Sequence, residues 1–311
     1  MIGFALRRLG WAIVVAWFVA TLAFVVSVAL PADPLRAMLG PHAGPESIAR
    51  ARAHYCLDRG VAGQYGCWLG HLARGDLGES YRSKRAVTAI VRERLWPTAQ
   101  LALAAIVLQL ALGLPLGVLA AVRRGRWPDG AAQLIAALAQ SAPPFFVGSL
   151  ALYLFGYRLG WLPLGGYGAP GWDRLAHLVL PALSIAAIGM ALYVRVTRDE
   201  LSRALAADYA RTARAKGVPE RAVIARHALA NAAGPLVTLV GLDLGLLLGG
   251  AVVIEVIFGW PGLGREAMQA ILEVDTPVVL GVVLVSALAI AVVNLVVDVV
   301  HAWIDPRLRD G

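Results

Sequence analysis

The sequence predicts an all-α polytopic membrane protein with about six transmembrane helices. Hydrophobic residues make up 59% of the 311 residues and charged residues 15%, compared with about 45–50% and about 25% in soluble domains. A soluble fold cannot cover so much apolar surface, so soluble enzymes and disordered regulators are excluded. Six segments are apolar enough to cross a hydrocarbon core of about 30 Å: about 9–30, 98–122, 131–156, 174–195, 235–258 and 278–303.

The first apolar segment follows Arg7 and Arg8, as the core of a signal peptide follows a basic stretch. Its apolar run of about 20 residues is longer than the 7–15 residues of a cleavable signal peptide. We therefore predict that the segment is a retained transmembrane helix.

The arginines predict the orientation of the chain. Of the predicted short loops, those on the side opposite the termini hold only Arg158, Arg174 and Arg265 as basic residues. Because Lys and Arg mark the cytoplasmic side when short loops are counted, both termini are expected to be cytoplasmic in a prokaryotic inner (plasma) membrane. The net charge of +8 is then assigned to orientation in the lipid bilayer, and no nucleic-acid partner is expected. The loop at 31–97 carries ten basic residues and still faces outward in this topology, because it is too long for the rule to apply.

That outer loop is too long for a simple connector, and part of it is expected to be helical. Val87, Ile90 and Val91 fall on one helical face, and the charged residues Arg92 and Glu93 fall elsewhere. We therefore predict a short surface helix over about 86–95, ahead of Pro97.

The same loop contains both cysteines of the chain, Cys56 and Cys67. Two cysteines are too few for a disulfide scaffold or a four-thiolate metal site. Disulfides persist on the outer, oxidising side of a membrane, so we predict a bridge between them; two unpaired thiols in a loose loop are the alternative.

Polar side chains within the apolar segments are candidates for a transport pathway or gate, because such groups usually face a cavity or a partner. Asp243 lies in the fifth segment and points away from the stripe that Gly241, Gly245 and Gly249 form there. Its carboxylate could attract an amino group or pair with an arginine. Glu255, near the outer end of that segment, fits a gate, a contact with an outside protein or a solvated helix end. Gln109, midway along the second segment, is a weaker pathway candidate. The stripe itself, Gly241, Gly245 and Gly249, fits a subunit contact or an internal helix contact equally well.

The stretch at 201–231 is a long, arginine-rich cytoplasmic insert. It has helical propensity and is interrupted at Gly217, Val218 and Pro219, which predicts two short helices joined by a bend. The composition fits a basic surface helix pair, and it equally fits a docking element for a soluble partner.

Several short motifs carry a resemblance to a known family. Residues 208–217 (DYARTARAKG), followed by RHALAN at 226–231, resemble the EAA loop of binding-protein-dependent ABC importers. The motifs RGDLGES at 74–80, WPGLG at 260–264, DTPV at 275–278 and DPR at 305–307 follow in the family's order. Together they resemble the dipeptide/oligopeptide/nickel permease family, although Arg211 and Thr212 replace the generic Glu and Ala of the loop, and Asp243 replaces the family's usual amide.

The resemblance implies the transmembrane fold of a type I ABC importer. It divides the chain into an N-terminal helix with an extracytoplasmic loop (1–96), the importer transmembrane domain (97–303) and a cytoplasmic tail (304–311). The implied partners are a second homologous permease, two cytoplasmic ATPases and an extracytoplasmic substrate-binding protein. The resemblance to the EAA loop assigns eight residues to the contact that couples the permease to an ATPase: Asp208, Tyr209, Arg211, Thr212, Ala213, Ala215, Lys216 and Gly217.

The chain is not expected to be an enzyme. It contains no phosphate-binding loop of the G-x-x-x-x-G-K-[ST] type, so it is expected to bind no cofactor, with ATP and Mg²⁺ on the partner ATPases. The predicted role is a pathway for short peptides delivered by the binding protein. Import of nickel or another small solute is the alternative within the family, and an autonomous secondary transporter or an intramembrane enzyme is the alternative outside it.

Overall fold

The computed structural model describes residues 2–29, 44–54 and 56–304, and the described chain is almost entirely helical. A single β-bridge, between Glu79 and Ala86, occurs in this part of the chain. The helices are α1 (Ile2–Ala29), α2 (Pro45–His54), α3 (Val61–Ala73), α4 (Val87–Val122), α5 (Trp127–Ser141), α6 (Pro144–Ala151, continued by a π-helical stretch Leu152–Arg158), α7 (Trp172–Ala206), α8 (Asp208–Ala215), α9 (Glu220–Ala222, continued by a π-helical stretch Val223–Ala228), α10 (Leu229–Leu248), α11 (Val252–Ile257), α12 (Leu263–Leu272) and α13 (Thr276–Ile304).

The predicted all-α polytopic fold is confirmed. By length and composition, the described residues contain four helices that can cross a membrane: α4, α7, the run from α9 through α10, and α13. The pair formed by α5 and α6 with its π-helical extension is a fifth candidate, and α1 contains a shorter apolar stretch, Ile13–Val26.

The third predicted span, 131–156, is wrong as a single straight helix, because the chain bends by 96° between α5 and α6. Ala142 and Pro143 have extended backbones at this point. A proline disfavours helical geometry in the residue before it, and two consecutive prolines, Pro143 and Pro144, therefore end one helix and begin another.

The predicted short helix at 86–95 is wrong as a separate element, because it continues into the second span as the single helix α4. Its predicted faces are correct: Val87, Ile90 and Val91 are buried. The helix passes through Pro97, whose carbonyl accepts a hydrogen bond of 2.9 Å from the indole N–H of Trp260. This bond attaches the loop after α11 to α4. It does not replace the hydrogen bond lost at the proline, because the missing N–H of Pro97 would have bonded to the carbonyl four residues earlier, at Glu93.

The fifth predicted span, 235–258, is also too long. Helix α10 ends at Leu248, and α11 is a separate helix beyond a break at 249–251. Gly250 has a φ of +107°, a conformation that favours glycine. A Cβ at this position would also lie 2.8 Å from the Cα of Gly264, so the close approach of two backbones ends the span.

Helices α4 and α7 form the central packed pair. A Cβ at Gly113 would lie 2.6 Å from the Cβ of Tyr193, and one at Gly117 would lie 2.6 Å from the Cβ of Thr197. These two glycines therefore allow the helix backbones to approach closely, as small residues do in membrane helix pairs. This contact positions Tyr193 beside the cavity described below.

The glycine stripe of α10 forms an internal contact in this chain. A Cβ at Gly241 would overlap the side chain of Val297 on α13, and one at Gly245 would lie 3.5 Å from Ile290. Of the two interpretations left open by the sequence, the structure supports packing within the chain.

Candidate functional site

The coupling hairpin, residues 207–222, consists of α8, a turn and α9. The predicted bend is present: Gly217 has a φ of +78°. Its N–H donates to the Arg214 carbonyl (2.9 Å), and the Val218 N–H donates to the Ala213 carbonyl (3.2 Å). These are the two hydrogen bonds of a Schellman helix end. The expected second short helix is not independent, because α9 continues through the π-helical stretch into α10.

Arg214 holds the two arms of the hairpin together. Its guanidinium donates to both carboxylate oxygens of Glu220, at 2.9 and 2.8 Å, and to the Leu205 carbonyl at 3.0 Å. The bonds to Glu220 raise the pKa of Arg214 above its usual value. Beneath it, Ala210 and Ala213 pack against Val223. The hairpin is therefore tied both to the end of α7 and to the start of α10.

Most of the predicted coupling residues lie on the exposed side of this hairpin. The exposed ones are Asp208, Tyr209, Arg211, Thr212, Ala215, Lys216 and Gly217. Ala213 is different, since it is only 7% exposed and packs inside the hairpin. Ala213 is therefore not on the exposed side of the hairpin, and it helps to fix the shape of the surface that the other residues present. Its part in ATPase coupling stays a prediction.

Two of the three pathway candidates, Gln109 and Asp243, line the same cavity. The cavity has a volume of about 430 Å³. Its other lining residues come from α6, α7, α10 and the segment at 250–254: Pro144, Ile185, Ile188, Gly189, Leu246, Leu247, Gly250, Ala251, Val252, Val253 and Ile254. Apart from Gln109 and Asp243, every lining side chain is apolar or absent.

The polar groups of this cavity have unused hydrogen-bonding capacity. Gln109 is 2% exposed, and its Oε1 accepts no hydrogen bond within the described chain. The amide packs so closely on α7 that a Cβ at Gly189 would overlap it. Asp243 is half-buried and lies beside the hydroxyl of Tyr193. The structure pairs it with no Lys, Arg or His of the residues described, so the ion pair considered from the sequence is not found there.

Glu255 lies outside the cavity and has no exposed surface. It accepts hydrogen bonds from the Thr98 hydroxyl (2.8 Å) and the Arg265 N–H (2.8 Å). The Thr98 hydroxyl in turn accepts one from the Leu263 N–H (2.7 Å). Because the side chain is fully enclosed, the interpretations of Glu255 as a solvated helix end or as a direct contact with an outside protein are wrong. Its role as a gate stays a prediction.

The WPGLG motif at 260–264 is the loop that surrounds this carboxylate. A Cβ at Gly262 would overlap the Glu255 carboxylate, and one at Gly264 would lie 3.0 Å from its Oε2. The motif therefore leaves room for a buried acid.

Two further polar contacts were not predicted from the sequence. Asp275 is buried and accepts hydrogen bonds from the Ser80 hydroxyl and the Tyr81 N–H, which joins the motif at 74–80 to the motif at 275–278. Arg198 binds both carboxylate oxygens of Asp129, at 2.6 and 2.8 Å. No local sequence pattern indicates either contact, because each joins residues that are far apart along the chain.

The two cysteines are bonded in the structure, with a Cα–Cα distance of 6.5 Å. This value lies within the usual range for disulfides, about 4.4–6.8 Å. The bond attaches the turn after α2 to α3. The part of the chain that the structure describes contains no group of three or more His, Cys, Asp or Glu side chains arranged to hold a metal ion. The DPR motif at 305–307 lies outside the described residues.

Comparisons with known proteins agree with this architecture. Residues 113–310 match the family "Binding-protein-dependent transport system inner membrane component", and residues 1–102 match the N-terminal region of such membrane components. The chain is 39% identical to the glutathione transport system permease protein GsiC of Salmonella choleraesuis (strain SC-B67), and 38% identical to that of Escherichia coli (strain K12), in each case over 99% of both chains.

A solved structure of the MetNI methionine ABC transporter has the same fold. It matches with a TM-score of 0.54 and 19% identity, over 70% of this chain and 96% of that one. ATP hydrolysis in this family is carried by separate ATPase subunits, so this chain is a transport subunit and not an enzyme. The matches to both family regions, together with the full-length relatives, show that the chain belongs to the binding-protein-dependent inner-membrane components and is a permease subunit of an ABC importer.

Proposed function

We propose that this permease forms, with a second homologous permease, the translocation pathway for short peptides delivered by an extracytoplasmic binding protein. The observation that carries this proposal is the 39% identity, over 99% of both chains, to a glutathione permease, because glutathione is itself a tripeptide. Two cytoplasmic ATPases that bind ATP and Mg²⁺ would drive import, and both termini of this chain would be cytoplasmic.

The coupling hairpin would carry the movement between this chain and an ATPase. Its exposed side is formed by residues such as Tyr209, 42% exposed, and Arg211. Its interior is held by Arg214, Glu220 and the small apolar cluster below them. A rigid element with an exposed polar side and a fixed attachment to α7 and α10 is suited to transmit a displacement to the helices that line the cavity.

The substrate is tested with the permease reconstituted in proteoliposomes together with two ATPases, a second permease and a binding protein from the same organism. ATP-dependent uptake of radiolabelled glutathione and dialanine is measured against uptake of Ni²⁺, with an ATPase variant that cannot hydrolyse ATP as the control. Uptake of either peptide supports the proposal. Uptake of Ni²⁺ alone would contradict it in favour of the small-solute alternative.

Docking is tested by reversing one exposed charge of the hairpin. Arg211→Glu should reduce ATP-driven uptake by about tenfold or more, because it reverses the charge of the proposed contact surface. It also removes an exposed ion pair with Asp208 (3.3 Å) and a long hydrogen bond to the Ala206 carbonyl (3.4 Å), but exposed ion pairs contribute little to stability. The bonds between Arg214 and Glu220 stay in place. Arg123→Glu is the matched control, since Arg123 is also exposed and follows α4 outside the hairpin. Equal uptake by the two variants would argue against a contact at Arg211.

The bend is tested at Gly217, where a Cβ would meet no neighbouring atom. Gly217→Pro should abolish uptake, because proline fixes φ near −65° and removes the N–H that bonds to Arg214. Gly217→Asn should keep most of it, because asparagine tolerates a left-handed backbone. Membrane insertion of both variants is verified by their co-purification with the second permease. Wild-type uptake by the proline variant would exclude a coupling role for the bend.

A further inference from the structure

We infer that the cavity between α4, α7 and α10 is a binding site for the primary ammonium group of a free-amino peptide, held by the Asp243 carboxylate. The inference rests on the proposed function, and it names the chemical feature of the substrate that this chain itself would recognise.

The chemistry of the lining determines the class of ligand. Asp243 brings a carboxylate, which only accepts hydrogen bonds, and Gln109 adds an amide, which both accepts and donates. The negative charge of Asp243 therefore sets the requirement, and the complementary ligand is a cationic donor. An ammonium group carries three N–H donors and a positive charge, which is sufficient to bond to the carboxylate and to balance its charge.

The surroundings of the carboxylate favour a charged donor over a neutral one. The structure places no basic side chain on Asp243 from the residues it describes, and the neighbouring Tyr193 hydroxyl lies beside the carboxylate without a hydrogen bond of good geometry. A carboxylate in apolar surroundings is costly unless a partner neutralises it. A bound cation supplies that partner, while an anionic or purely apolar ligand leaves the cost in place.

The remaining lining suits the aliphatic part of a small peptide. Ile185, Ile188 and Leu247 are among the apolar side chains that line the same cavity. The volume of about 430 Å³ lies in the range of small-molecule sites, about 300–1,000 Å³. The cavity is also bordered by Leu246 and Val253, which are exposed on the surface of this chain, so a ligand can enter without unfolding a helix.

The site is tested by equilibrium dialysis of radiolabelled dialanine against the detergent-purified importer, assembled without its binding protein. We expect wild-type protein to bind dialanine, and N-acetyl-dialanine, which lacks the ammonium group, not to compete. Asp243→Asn should weaken binding by about tenfold or more, because it removes a charge-assisted hydrogen bond. Gln109→Leu should weaken it by a smaller factor.

Two control variants separate loss of the site from loss of the fold. Asp298→Asn makes the same chemical change on α13, away from the cavity lining, and should bind dialanine like wild type. Leu247→Trp should block binding by filling the cavity while leaving the carboxylate in place. Equal binding by wild type and Asp243→Asn, competition by N-acetyl-dialanine, or no binding by wild type would each overturn the inference.

The outcome is distinguishable from failure of the proposed function. Peptide uptake in proteoliposomes that is the same in wild type and Asp243→Asn would leave the peptide importer standing and remove the ammonium site. Absence of any peptide uptake, with dialanine still bound through Asp243, would remove the peptide importer and leave the site.

Discussion

Asp243 and Glu255 are acidic residues on consecutive helices, and they lie in opposite surroundings. Glu255 is completely buried, and its carboxylate accepts hydrogen bonds from the Thr98 hydroxyl and the Arg265 backbone. Asp243 is half-buried, borders a cavity, and has beside it a hydroxyl that makes no hydrogen bond of good geometry.

The difference separates an acid that maintains structure from one that is available to a ligand. A buried polar network that is fully hydrogen-bonded stabilises one arrangement of the chain, and a partly satisfied one is costly. The saturated carboxylate of Glu255 therefore fixes the loop at 260–264 around it. The unsaturated polar groups around Asp243 and Gln109 impose a cost that a bound partner relieves.

The largest loss of stability is expected from removing the hydrogen-bonded carboxylate of Glu255. Glu255→Leu should lower the free energy of unfolding by about 3 kcal/mol or more, because the Thr98 hydroxyl and the Arg265 N–H lose their buried acceptor at about 1–3 kcal/mol each. The measurement is thermal unfolding of the detergent-purified importer. Glu255→Gln, which keeps one acceptor oxygen, should lose less. An unchanged unfolding midpoint for the leucine variant would contradict the structural role assigned to Glu255.

The disulfide between Cys56 and Cys67 is a covalent contact in the segment from α2 to α3. On the chain-entropy account, a bridge between Cys56 and Cys67 closes a loop of about a dozen residues and stabilises it by about 3 kcal/mol. Maleimide labelling of denatured, unreduced protein should find no free thiol. Cys56→Ser should make the segment from α2 to α3 more sensitive to protease while α4 and α7 remain protected. Recovery of two free thiols would rule the bridge out.

A smaller effect is expected where α10 packs on α13. Gly241→Ala should cost about 1–3 kcal/mol, because the added methyl group would overlap Val297 and overpacking costs roughly that much. Gly245→Ala is the matched control, since its methyl would lie at an ordinary 3.5 Å from Ile290 and alanine is the better helix former. Unfolding of both variants is compared with wild type. Equal losses of unfolding free energy in the two variants would show that α10 packs no more tightly on Val297 than on Ile290.

No loss of stability is expected at Asp243. Asp243→Asn should leave the free energy of unfolding unchanged or raise it, because no ion pair is broken and the cost of an unpaired carboxylate in apolar surroundings is removed. Uptake of free-amino peptides should nevertheless fall about tenfold. Loss of stability with unchanged uptake kinetics would reverse the comparison and make Asp243 the structural acid.

Much of the membrane architecture was predictable because the bilayer imposes a single strong requirement on composition. Long apolar runs at α4, α7 and α13 are sufficient to predict a membrane helix at each place, although α4 and α7 extend well beyond the predicted bounds of 98–122 and 174–195. The bend at Gly217 was also predictable, because glycine followed shortly by proline disfavours a continuous helix.

Interruptions within spans were predicted less well, because one residue type has opposite effects in different surroundings. Pro97 is accommodated inside α4, which continues through it. Pro143 and Pro144 produce a sharp bend instead. The end of α10 at Leu248 depends on the approach of Gly250 to Gly264, two residues that no local window brings together.

The sequence alone determined that this chain is a helical membrane protein, that the basic stretch at 201–231 bends near Gly217, and that Gln109, Asp243 and Glu255 are unusual polar residues for their positions. It did so because hydropathy, charge and backbone preference act locally along a chain. Only the tertiary structure decided that Gln109 and Asp243 share one cavity, that Glu255 is enclosed by the loop at 260–264, and that Ala213 faces inward. Those outcomes depend on which helices approach one another, and that is set by packing and hydrogen bonds between residues far apart in the sequence.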